Sequence, residues 1–173
     1  MPKELTRDSA SDAFRFWGFV SELKTADESD LEGFFPGEGV VNKYKRLLTA
    51  DIIKPVADGI RSGVSDPSPE ALIRVERRLE NARAALLDME AVGRTLEWLS
   101  TERDGQECIA GITAVYMTDP EVPLDRFIIR DRTVAFSDET NISYNTALRR
   151  LKKARCKWAE ERGLKIFESS KLF

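Results

Sequence analysis

The sequence predicts an all-α fold: a helical bundle with a long central heptad-patterned helix and a C-terminal helix-turn-helix. Three observations carry this. Apolar residues recur at steps of three and four along much of the chain, and no alternating strand pattern exceeds a few residues. The three-four spacing runs longest between Leu72 and Leu96. A turn-forming run of Asp138, Glu139, Thr140 and Asn141 then precedes a segment with one apolar and one basic face.

The elements follow in order. Residues 1–10 are polar and read as frayed. Residues 12–24 form a short helix, with Phe14, Trp17, Val20 and Leu23 on one face. Phe16 and Phe19 lie off that face, so the helix is either buried on two sides, the favoured reading, or a partner surface. Gly33, Pro36, Gly37 and Gly39 break the chain into a loop. GEGVVN there matches only part of a phosphate-binding GxGxxG and is discounted. A helix over 41–48 and a short apolar segment over 52–60, interrupted by Pro55, lead to a Gly, Ser, Asp and Pro linker over 62–69.

The long helix starts at Ser68 as N-cap and Pro69 as first helical residue, with Glu70 in its first turn. Its seam is Leu72, Val75, Leu79, Ala82, Leu86, Met89, Gly93 and Leu96. Such a seam serves a bundle helix or a homodimer through residues 72–96. After a polar break at 100–105, residues 106–117 form a helix with Ile109, Ile112, Val115 and Tyr116 for a core. A turn at 118–123 leads to a helix over 124–136, burying Leu124, Phe127, Ile128, Val134 and Phe136. The chain divides into an N-terminal helical region (1–67), the long helix (68–100) and the helix-turn-helix region (101–173).

Composition narrows the function. The chain has 173 residues, 42% of them hydrophobic, enough for one ordinary core or two small ones. No stretch reaches the roughly 20 apolar residues of a membrane span, and the N-terminus does not read as a signal peptide, so a cytoplasmic protein is expected. Cys108 and Cys156 lack CxxC spacing, which argues against a disulfide framework and a zinc site. Histidine is absent, removing the commonest general base and metal ligand. Glu160 and Glu161 are adjacent on a helix and do not face each other. Neither an enzyme nor a cofactor is expected. The net charge of −3 hides an asymmetry: residues 142–173 hold nine Lys/Arg against three Asp/Glu, or +6, leaving −9 on residues 1–141. That separation points to a polyanionic partner.

The basic helix over 144–162 carries the sharpest signal. Asn141 suits a left-handed turn position, and Ser143 suits an N-cap. Tyr144, Ala147, Leu148, Leu151, Ala154 and Trp158 make an apolar stripe, while Thr146, Arg149, Arg150 and Lys153 make a polar one beside the tip residue Asn145. Gly163 ends the helix, and Leu164, Ile166 and Phe167 return to the core. A major groove about 12 Å wide admits one helix by its N-terminal turns. Ser143, Asn145 and Thr146 would reach base edges or phosphates, Arg149 and Arg150 guanine edges or the backbone, and Lys152, Lys153 and Lys157 the phosphates beyond. The competing reading is a solvated basic helix on an ordinary bundle.

The segment NISYNTALRRLKKARCKWAEERGLKIF resembles the C-terminal end of the ArpU-like phage and prophage transcriptional regulators, related in plan to RinA-type activators and to the region-four helix-turn-helix of sigma factors. The matching positions are Ile142 with Ser143, Thr146, Arg149, the basic run from Lys152 to Arg155, Trp158 with Ala159, and Gly163 with Leu164. Asn141 stands where the family has glycine, and 119–123 departs from a simple inter-helix loop. The resemblance spans roughly residues 75–168, most specifically the last 30. It implies sequence-specific binding to double-stranded DNA, control of late phage or prophage genes, RNA polymerase as a further partner, and no catalysis. Two alternatives stand beside it: a DNA-packaging protein of the small-terminase type, and a helical adaptor that binds no DNA.

Overall fold

A computed structural model describes residues 3–23, 39–48 and 68–164, with side chains from residue 9 onward. Every regular element among them is helical, as the spacing predicts. They are α1 (Lys3–Glu22), α2 (Gly39–Leu48), α3 (Pro69–Thr101), α4 (Gly105–Ile112), α5 (Arg126–Thr140) and α6 (Tyr144–Glu161). A π-helical turn, Thr113–Met117, continues α4. No described helix is long and apolar enough to cross a membrane. The segment at 52–60, most of the linker at 62–69, Ile166 and Phe167 lie outside the described residues.

The chain forms two compact units, one from Met1–Lys24 with Met89–Phe173 and one from Thr25–Asp88. The sequence-based boundaries at 67 and 100 differ from this grouping: α1 shares a unit with the C-terminal helices, and α3 contributes to both units. In the second unit, burial and then the charge of Asp88 raise the pKa of the Tyr44 phenol.

The first unit is built round α1, the end of α3, the α4–π segment, α5 and α6. Helix α1 begins at Lys3, before the expected start at 12. It buries Ala10, Ala13, Phe14, Trp17 and Val20, while Phe16 is half-buried and Phe19 exposed. Phe14 stacks on Tyr116 of the π turn, ring centroids 5.9 Å apart. Gly18 lets the two backbones meet, because a Cβ there would lie 2.6 Å from the Met117 carbonyl oxygen. Arg15 Nε donates to the Pro120 carbonyl at 2.7 Å, tying α1 to the loop at 118–123. From the other side, Arg132 of α5 donates to the Val115 and Thr118 carbonyls, which the end of the π turn leaves without helical partners.

Ser68 caps α3 as expected, its Oγ accepting from the Ala71 amide at 3.2 Å. The heptad seam is not uniform. Leu72 is 46% exposed, whereas Met89 is fully buried. Beyond Met89 the core edge runs through Val92, Thr95 and Leu99, one position off the Gly93 and Leu96 of the seam. Thr95 can be buried because its hydroxyl donates to the Ala91 carbonyl at 2.8 Å.

The same chemistry corrects the expected face of α5. Asp125 starts this helix by accepting from the amides of Phe127 and Ile128, both at 2.8 Å. The buried positions are Ile129, Thr133, Phe136 and Ser137. Phe127 and Val134, expected inside, are 59% and 42% exposed, and Leu124 and Ile128 are half-buried. Thr133 donates to the Ile129 carbonyl and Ser137 to the Ile142 carbonyl, so neither hydroxyl enters the core unpaired.

Candidate nucleic-acid interface

Three residues, 141–143, join α5 to α6. The expected turn residues Asp138, Glu139 and Thr140 are still helical, and the reversal falls on Asn141, at φ 53° and ψ 41°. Asparagine tolerates this left-handed conformation better than any other residue with a Cβ. The Ile142 amide then reaches back to the Ser137 carbonyl at 3.1 Å, closing a Schellman motif. Ser143 opens α6, its Oγ accepting from the Thr146 amide at 3.1 Å. At the far end Gly163 takes φ 73° and the Leu164 amide bonds the Ala159 carbonyl at 2.8 Å. Leu164 itself is 41% exposed rather than returned to the core.

The apolar face of α6 is as the spacing predicts except at Tyr144, with Ala147, Leu151, Ala154 and Trp158 buried and Leu148 half-buried. Ala159 joins the buried set and Tyr144 is exposed. An α-helix turns about 100° per residue. The polar residues therefore divide into two stripes rather than one. Asn145, Arg149 and Lys152 share the stripe directly opposite the core, and all three are exposed. Thr146, Arg150, Lys153 and Lys157 share a flank about 100° away, and all four are half-buried.

The exposed tip is locally organised. The Ser143 and Thr146 hydroxyls lie 2.8 Å apart, and Arg149 Nη2 donates to Thr146 Oγ1 at 3.2 Å. Arg149 and Arg150 form no ion pair among the described residues. Thr146, Arg149, Arg150 and Lys153 border one shallow, open recess together with Asp104.

The flank is different. Lys153 Nζ lies 2.5 Å from Asp104 Oδ1 and 3.2 Å from Glu102 Oε2, both on the elbow at 102–104 that joins α3 to α4. Gly105 makes the elbow tight, since a Cβ there would overlap the Leu99 carbonyl. The hydrogen bond to Asp104 raises the Lys153 pKa, and the same bond lowers that of Asp104. Lys157 Nζ pairs with Glu161 Oε1 at 3.0 Å and lies 3.7 Å from Glu160 Oε2. Its bond to Glu161 raises the Lys157 pKa; that carboxylate is held low by Lys157 and then by Arg94, 2.9 Å away on α3. Both lysine ammoniums also lie over Trp98, 5.4 and 5.0 Å from its ring centroid. Behind them Arg155 donates to the buried Tyr116 hydroxyl at 2.7 Å.

The eight residues singled out in the sequence thus have different surroundings. Ser143, Asn145, Thr146 and Arg149 gather at the tip, Lys152 extends the exposed stripe and Arg150 borders the recess. Lys153 and Lys157 are committed to carboxylates of this chain. Sequence reasoning missed Trp98, Glu102 and Asp104, because nothing local links the polar break after α3 to a helix some fifty residues later. Cys108, beside the elbow, is buried, and burial followed by the Asp104 charge pushes its thiol up to about 11, leaving it protonated and unreactive at neutral pH. No protein-family model, curated protein or solved structure matches the chain.

Proposed function

We propose that the chain is a sequence-specific DNA-binding transcriptional regulator, acting on late phage or prophage genes, that presents the N-terminal turns of α6 to a major groove. The carrying observation is the exposed stripe of Asn145, Arg149 and Lys152 directly opposite the core face. Asn145 suits an adenine edge, Arg149 a guanine edge or a phosphate, and Lys152 a phosphate further along. Thr146 holds the Arg149 guanidinium near the tip, where groove entry would need it. Double-stranded DNA is the partner in this reading, with RNA polymerase as a second; the phage context and the polymerase rest on the resemblance of residues 142–164 to the ArpU-like regulators. Fluorescence anisotropy against duplex DNA at two salt concentrations tests it. Binding that weakens with salt and is lost in Arg149→Ala with Arg150→Ala supports it. Absence of binding at low salt, or an unaffected variant, ends it.

The pairing of Lys153 with Glu102 and Asp104 favours a second reading, a helical adaptor that binds no DNA. Against it, Arg149 and Arg150 stay out of such pairs among the described residues. A packaging protein of the small-terminase type separates from both by mass, since it would form a ring of many subunits. If the chain dimerises through α3, the seam is confined to Leu72–Leu86, because Met89 is fully buried.

A further inference from the structure

We infer that Glu102 and Asp104 are specificity-determining residues of the DNA-binding surface: they occupy Lys153 in the place of a backbone phosphate and so withhold sequence-independent affinity. This rests on the DNA-binding reading above. The elbow carboxylates are stereochemical stand-ins for a phosphate, being anionic oxygens at 2.5 and 3.2 Å from one ammonium. Asp104 and Lys153 themselves border the recess with Thr146, Arg149 and Arg150, where a phosphate beside the N-terminal turns of α6 would run.

Backbone charge supplies nearly all non-specific affinity, and base contacts supply discrimination. A lysine already neutralised by its own chain adds little to the first and leaves the second intact. Exposed Arg149 and Asn145 then carry a larger share of the binding, which raises the ratio of specific to non-specific affinity. Discrimination built on a repulsive element is a general route to specificity. Trp98 reinforces the arrangement by holding the Lys153 ammonium over its ring on the α3 side.

The test compares the full chain with Glu102→Gln/Asp104→Asn, and with Lys153→Gln in both backgrounds, on a short mixed-sequence duplex across a salt series. The double variant should bind with a log affinity against log salt slope steeper by about one, since one more counterion is released. That corresponds to about eightfold tighter binding on going from about 1 M to about 0.1 M salt. Lys153→Gln should abolish the gain in the double variant, and in the parent, where it leaves two carboxylates unpaired, it should weaken binding rather than strengthen it. Asp104→Asn alone carries the comparison if the double variant melts below the assay temperature. A gain that survives Lys153→Gln reflects net charge and overturns the proposal. If the parent binds and the elbow variants match it in affinity and slope, the elbow's role fails while DNA binding stands. If no form binds at the lowest salt, both readings fall together.

Discussion

Ser143→Ala removes the oxygen that accepts from the Thr146 amide, and loss of an N-cap of this kind costs about 1 kcal/mol. Urea unfolding should show that loss, and on the proposed DNA-binding reading affinity for duplex DNA should fall as well, because the Ser143–Thr146–Arg149 chain of contacts loosens from its start. At Asn141 the expectation divides by side chain: glycine should be tolerated, whereas valine should cost about 1–2 kcal/mol at φ 53°. Both positions were legible in the sequence, since capping and left-handed turns are decided by residues three or four apart. The elbow pair was not legible, but it leaves a signature in pH. Asp104 has a lowered pKa when folded, so its contribution is present above the ordinary carboxylate value and is lost as pH falls through the folded one. Lys153 has a raised pKa, so its contribution is present below the ordinary lysine value and is lost as pH rises through the folded one. The difference in Tm between the parent and Asp104→Asn should therefore be widest at neutral pH and close on acidification below about pH 4. A difference that persists there would mean the pair is not what Asp104 contributes.

Along whole helices, periodicity identified the elements and misjudged how two of them are turned. In α5 it ranked Phe127 and Val134 as core and passed over Thr133 and Ser137. Hydroxyl residues read as surface in a sequence, yet Thr133 bonds the Ile129 carbonyl one turn back and Ser137 the Ile142 carbonyl beyond the helix end, so both enter the core without a polar penalty. Thr95 in α3 hides for the same reason. The apolar face of α6 was read correctly at its alanines, leucines and tryptophan and misread at Tyr144, the one hydroxyl-bearing member of the stripe, which is exposed. Its polar side needed the structure, which separates the Asn145 stripe from the Lys153 flank. Where α1 crosses the π turn, spacing is set by backbone rather than side chains. Gly18→Ala would place a methyl 2.6 Å from a carbonyl oxygen, and the two segments must part. We expect a loss of about 1–3 kcal/mol in urea unfolding, as for other overpacked sites. An unchanged midpoint would show that α1 docks less closely than this.

For the whole molecule, light scattering gives the plainest division among the readings. A dimer that Leu72→Lys with Leu79→Lys converts to a monomer would place the seam on the first half of α3 and leave the unit that holds α6 folded. A parent that is already monomeric removes that seam. The all-α class was legible throughout, whereas the grouping of the chain into units was not. Phe14 and Trp17 look like the core of a local N-terminal structure, but Phe14 stacks on Tyr116, a hundred residues later. That pairing has a kinetic consequence. Phe14 precedes its stacking partner by a hundred residues, so that contact must wait until the chain has been synthesised past α4. Bringing it home closes the intervening stretch Thr25–Asp88, at about 4 kcal/mol of chain entropy from length alone. The nascent protein therefore passes through a stage in which Phe14 lacks the Tyr116 ring, and that interval is when it is more exposed to aggregation and to capture by chaperones.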